Sequence, residues 1–119
     1  MEPCKVDLLQ GTLDVMVLKT LAAMGPMHGY GCARRIERLS RNEVRLNQGT
    51  MHASLVRLDR RGWIKSSWGT SDNNRKAKFY SITGAGRQQL AKAAQHWQKL
   101  ANVMDRVLAM GNDPSEMPF

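Results

Sequence analysis

Residues 47–65 read NQGTMHASLVRLDRRGWIK, and the reading of this stretch decides the fold. Asn47 is suited to cap a helix, because a short side-chain oxygen accepts from the free amides of the first turn. Met51, Leu55 and Leu58 then recur at steps of four and three, the spacing of one buried helical face. Thr50, Ser54, Arg57 and Arg61 recur at four, three and four, so they share a neighbouring polar face. Gly62 stops the helix. Three arginines in five residues, Arg57, Arg60 and Arg61, have two readings: a solvated face beside a turn, or a helix lying in a groove of nucleic acid.

The charge distribution weighs on that choice. The chain has 119 residues, a formal net charge of +8 and a pI near 10.1. Between residues 34 and 78 stand Arg34, Arg35, Arg38, Arg41, Arg45, Arg57, Arg60, Arg61, Lys65, Arg75, Lys76 and Lys78, against Glu37, Glu43, Asp59 and Asp72. That surplus equals the whole net charge. Such clustering is the electrostatic footprint of a phosphate-binding surface, whereas a plain solvated surface intersperses the signs more evenly.

Around the deciding segment, apolar spacing predicts a first helix over Leu8–Met24, with Leu9, Leu13, Met16, Val17, Leu21 and Met24 as its stripe. Gly25-Pro26 ends it. A second helix follows HGYG with Cys32, Ala33, Ile36 and Leu39 inward, His28 capping or packing at its start, and Ser40–Leu46 as connector. Trp63–Trp68 and Ala77–Ile82 are strand-like. The intervening GTSDNNRK is turn chemistry, in which Asn73 and Asn74 tolerate left-handed backbone. Thr83 caps a last helix reaching Met110. Along it Leu90, Ala94, Trp97, Ala101, Met104 and Leu108 alternate steps of four and three, and Leu100, Val103, Val107 and Met110 widen the band.

The expected fold is therefore mainly α (α+β): a winged helix–turn–helix with a two-stranded wing and a long C-terminal dimerisation helix. Residues 1–84 form the DNA-binding unit, 85–110 the dimerisation helix and 111–119 a flexible tail. Leu90, Ala94, Trp97, Leu100, Met104 and Leu108 are expected at the dimer interface, since a small domain has little room to bury so apolar a terminal helix.

The residues carry a family resemblance. LLQGTLDVMVLKTL, GPMHGYG, NQGTMHASLVRLDRRGWI, WGTSDNNRKAKFYSIT and GAGR together resemble the PadR family of bacterial transcriptional regulators, over about Leu8–Arg87. The single terminal helix is similar to that of the short subfamily. The resemblance implies a dimeric, cytoplasmic repressor that binds operator DNA. It puts Gln48, Thr50, His52, Ser54 and Arg57 on the recognition helix and Asn74, Arg75 and Lys76 on the wing. From their charge alone, Arg57, Arg60 and Arg61 are expected as phosphate clamps, at least two of them on phosphate, with pairing of one to Asp59 or an acidic neighbour as the alternative. His52-Ala53 stands where the family usually has Tyr-Pro, and Asp59 where glutamate is common. The resemblance also implies a small aromatic effector: Trp97 matches a tryptophan that stacks planar ligands at the dimer interface of multidrug-sensing members, with Leu8, Val15, Lys19, Ala93 and Ala101 as lining. Plain helix packing is the alternative for Trp97.

Other classes find little support. There is no GxSxG, HExxH or Walker-type phosphate loop, so no enzyme is expected. His28 and Cys32 have a spacing compatible with a metal but no further ligand cluster, so neither metal nor cofactor is expected. Cys4 and Cys32 offer no disulfide framework, which fits a reducing cytosol. No apolar run approaches the roughly 18 residues of a membrane span, and no signal-peptide pattern opens the chain. A winged-helix protein-interaction module and a non-specific nucleic-acid binder remain as alternatives. The basic cluster argues against the first, and Gln48, Thr50 and Ser54, which suit base reading, against the second.

Overall fold

A computed structural model of the chain describes residues 10–70 and 73–111. Its elements are α1 (Gln10–Met24), β1 (Met27–His28), α2 (Gly29–Leu39), α3 (Gln48–Arg60), β2 (Ile64–Thr70), β3 (Lys76–Ile82) and α4 (Gly84–Leu108). Leu8, Leu9, Cys4 and the expected tail from residue 112 onward lie outside the described residues.

The first three helices converge on one core. Leu13, Val17, Leu18 and Leu21 of α1, Cys32, Ala33 and Ile36 of α2, and Met51, Leu55 and Leu58 of α3 are buried together with Val44 and Ile64. The apolar spacing of the sequence thus becomes the shared interior, whose burial is the main favourable term in folding. Two residues of the expected stripes fall outside it: Met24 is 48% exposed and Leu39 is 69% exposed. Both sit in the last turn of their helices, beyond the edge of the core. After Leu39 the chain reverses through left-handed Arg41 and Asn42, and Val44 is buried in the core beyond the turn.

The connector between α2 and α3 is held by hydrogen bonds. Ser40 Oγ donates to the Glu37 carbonyl (2.8 Å) and accepts from the Val44 amide (3.0 Å), while the Glu37 carboxylate accepts from the Leu46 amide (2.9 Å). The caps form at the expected places. Asn47 Oδ1 accepts from Thr50 N (2.7 Å), Thr83 Oγ1 from Gly86 N (3.0 Å) and His28 Nδ1 from Gly31 N (2.9 Å). Gly62 ends α3 with φ +76°, a conformation that costs glycine little.

β2 and β3 pair antiparallel from Ile64↔Ile82 to Thr70↔Lys76, and Asn74 turns with φ 59°. A third strand was not expected: β1 pairs with the outer edge of β3 through Met27↔Tyr80 and His28↔Phe79, giving the order β1-β3-β2. Two residues are too short for a periodicity signal. The result is a winged helix–turn–helix followed by a long helix.

α4 begins inside this unit and leaves it. Gly86 is buried, and Leu90 packs against the core. From Ala91 to Met110 every residue is exposed except half-buried Ala93 and Ala101. Leu90, expected at a dimer interface, is half-buried against the chain's own core, because the first turns of α4 lie within reach of α1 and the hairpin base.

Candidate nucleic-acid interface

Eleven of the twelve basic residues between 34 and 78 are exposed; the exception is half-buried Arg57. Several exposed cations lie over aromatic rings: Arg34 over Tyr30 (5.9 Å), Arg61 over Trp63 (5.1 Å), Lys76 over Trp68 (5.3 Å) and Lys78 over Tyr80 (5.8 Å). A ring steadies a cation through its quadrupole without cancelling the charge, as a carboxylate would. These four cations are thus steadied without losing their charge.

A cleft of about 690 Å³ runs between α2, α3 and the sheet, lined among others by Tyr30, Arg34, Gln48, His52, Lys78 and Tyr80. Trp68 pairs with Lys78, so both lie on the sheet face that carries Tyr80 two residues on. Sequence reasoning counted Arg34 and Lys78 only as members of the basic cluster and assigned no role to Tyr30 or Tyr80. Their signal was available only as a basic and an aromatic residue recurring near each other in YGCAR and KFY.

α3 buries the expected face of Met51, Leu55 and Leu58, but Ser54 and Arg57 on its flank turn inward instead of outward. Gln48, Thr50 and His52 are exposed, as a groove-reading helix requires, and so is Arg60. Ser54 is 0% exposed and donates from Oγ to Asp14 Oδ1 at 2.6 Å, so it does not face a groove. Arg57 donates to the same carboxylate from Nε (3.1 Å to Oδ2) and Nη2 (2.7 Å to Oδ1). Hydrogen bonding to Asp14, more than the charge itself, raises the Arg57 pKa above its ordinary value. Arg57 is thus engaged within the fold, not a free phosphate clamp. At about 100° per residue, Ser54 and Arg57 fall on the flank facing α1, and the outward arc is Gly49, His52, Ala53, Val56 and Arg60. The error has a physical source: spacing defines a shared face but not which neighbour that face meets. The missed signal was Asp14, a lone acid on the buried side of α1, which has to find a cation or donors.

The remaining expected site residues divide between wing and helices. Asn74, Arg75 and Lys76 are exposed at the hairpin turn, and Arg61 is exposed at the end of α3. On α1, Val15 is half-buried and Lys19 exposed; on α4, Ala93 and Ala101 are half-buried and Trp97 is 55% exposed. Leu8 lies outside the described residues. His28 and Cys32 have separate duties: the imidazole caps α2, and the thiol is buried in the core.

A family model, the transcriptional regulator PadR-like family, matches residues 17–92, more than half of the chain. The chain belongs to the PadR-like family. Solved relatives share its fold: a transcriptional regulator from Clostridium thermocellum is 23% identical with a TM-score of 0.75, covering 85% of this chain and 97% of its own. A PadR family transcription regulator from a hypervirulent Clostridium difficile is 28% identical with a TM-score of 0.69, covering 81% and 97%. A Streptococcus mutans protein is 15% identical with a TM-score of 0.77, covering 96% and 97%. An uncharacterized protein from Lysinibacillus sphaericus is 24% identical over 99 residues, 83% of this chain and 90% of its own. As a PadR-like protein the chain is a DNA-binding transcriptional regulator, and regulators of this family are not enzymes. Among the described residues no helix is long and apolar enough to cross a membrane.

Proposed function

We infer that this PadR-like regulator works as a homodimeric, sequence-specific repressor in the cytoplasm, with α4 joining the two subunits. The observation that carries the reading is the continuity of one apolar stripe. It begins at Leu90, packed against the chain's own core, and half-buried Ala93. It runs on through Trp97, Leu100, Met104 and Leu108, which are 55%, 41%, 47% and 72% exposed. Exposed apolar surface of that extent marks an interaction site, and a lone helix of this kind is marginal in water without a packed face. A second copy offers the same stripe in return, as a two-fold interface requires.

Two joined subunits present two copies of α3 and two wings to one duplex. Gln48, Thr50 and His52 read base edges, while Arg60, Arg61, Asn74, Arg75 and Lys76 hold phosphates. Trp97 stands at the centre of the stripe, beside the small Ala93 and Ala101. Those alanines leave room for a planar aromatic or phenolic effector against the indole, with Val15 and Lys19 of α1 as its further lining, and such a ligand releases the DNA. The test is fluorescence anisotropy with duplex from upstream of the protein's own gene against a shuffled control, across a salt series. A preference that survives moderate salt supports the repressor; equal, steeply salt-sensitive binding to both favours a non-specific binder.

A further inference from the structure

We propose that Asp14 is a positioning residue for operator recognition: its carboxylate sets the rotation of α3 through Ser54 and Arg57 and withholds the Arg57 guanidinium from phosphate. The proposal rests on the DNA-binding reading above and deepens it.

Three observations lead there. The first is geometric. One carboxylate accepts from Ser54 Oγ at 2.6 Å, from Arg57 Nη2 at 2.7 Å and from Arg57 Nε at 3.1 Å. Ser54 and Arg57 are about one turn apart on α3, so a single group on α1 grips the helix at two heights. The second is burial. Asp14 is 6% exposed and Ser54 0%, and Asp14 is flanked on α1 by Leu13, Val17 and Leu18, each at most 2% exposed. The anchor is therefore set within the buried core. The third is charge. Arg57 is the one member of the basic cluster that is not exposed.

Physical chemistry gives the arrangement a purpose. The other contacts between α3 and the core are made by Met51, Leu55 and Leu58. Such packing is non-directional and tolerates a helix turning by some degrees about its axis. A bidentate guanidinium–carboxylate fork is directional and does not. Base readout demands placement within about 10–20°, so the fork selects which arc of α3, with Gly49, His52, Ala53 and Val56 on it, points outward. At the same time a guanidinium paired to a carboxylate adds no mobile charge to the DNA surface. Sequence-independent attraction is then lower than the arginine count implies, which favours discrimination.

Asp14→Asn removes the charge and keeps the shape. Its expected effects on the full-length protein are two. The slope of log K against log salt, measured on any duplex, steepens by about 0.9 for each Arg57 released to a phosphate. Discrimination between upstream and shuffled duplex falls about ten-fold, the size of one base-specific interaction. Arg57→Lys, which keeps the charge beside Asp14 but cannot form the fork, lowers discrimination with the salt slope unchanged and covers the case in which Asp14→Asn fails to fold. Asp14→Asn combined with Arg57→Gln loses discrimination but returns the slope to the wild-type value. A merely structural Asp14 would weaken both duplexes in parallel with the slope unchanged, and that result overturns the proposal. Wild-type protein that binds no duplex at low salt overturns instead the DNA-binding reading on which it rests.

Discussion

Gly86 lies so close to Trp63 that a β-carbon added to it would collide with the Trp63 carbonyl oxygen and with the Ile82 side chain. The contact seats the first turn of α4 on the base of the hairpin, where Thr83 also donates from its amide to the Trp63 carbonyl (3.0 Å) and from its hydroxyl to the Gly62 carbonyl (2.7 Å). The obstruction is backbone, so it cannot rotate away. Gly86→Ala is expected to destabilise the protein by about 2 kcal/mol, read as a lower urea midpoint with an unchanged slope. Stability equal to wild type would mean that α4 is not seated there.

Burial pushes the Cys32 thiol up to about 12, against a smaller opposing effect of its hydrogen bond with Thr20. The neutral thiol is unreactive. In a Cys4→Ser background, Cys32 is expected to resist a thiol reagent at pH 8 until denaturant is added. The linkage has a definite sign. Above the unfolded value of about 8.5, the unfolded chain releases this proton while the folded one keeps it. The thiol's contribution to stability is therefore full below that pH and declines as pH rises toward 12. Cys32→Ala removes that decline. Rapid labelling of the native protein would show that α2 opens readily from the core.

The wing carries charge at a turn rather than on a helix. Replacing Arg75 and Lys76 together with alanine should weaken binding to every duplex. The salt slope should fall by about 0.9 for each phosphate that the wing no longer neutralises, with the operator preference unchanged. An unaltered slope would take the wing off the DNA.

Much of this was legible in the sequence. Periods of three and four fixed α1, α2, α3 and α4, and cap chemistry at Asn47, Thr83 and His28 fixed where helices begin. The hairpin followed from its turn residues. The sequence hid what depends on contacts between distant elements. Ser54 and Arg57 sit 40 and 43 residues from Asp14, and no local pattern joins them. Leu90 was assigned to an interface because periodicity marks a stripe without saying where the chain's own core ends along it. β1 was missed because two residues gain strand geometry only from β3.

Trp97 separates ligand sensing from plain packing. If planar compounds stack on the indole at the subunit boundary, Trp97→Ala should weaken binding of a planar aromatic dye by about ten-fold and leave the helical circular dichroism intact. The same dye should release wild-type protein from DNA and fail to release the variant. Undiminished dye binding by Trp97→Ala would leave the tryptophan as interface packing alone.

The central claim is that the free stripe of α4 joins two reading units on one duplex. Sedimentation of the full-length protein with labelled upstream duplex measures it directly. The account predicts two protomers per duplex for the wild type. With Leu100→Glu and Met104→Glu it predicts monomers with at least about ten-fold weaker binding, because the helices then meet as buried like charges. Wild-type complexes holding one protomer, or variant dimers that bind with undiminished affinity, would contradict it.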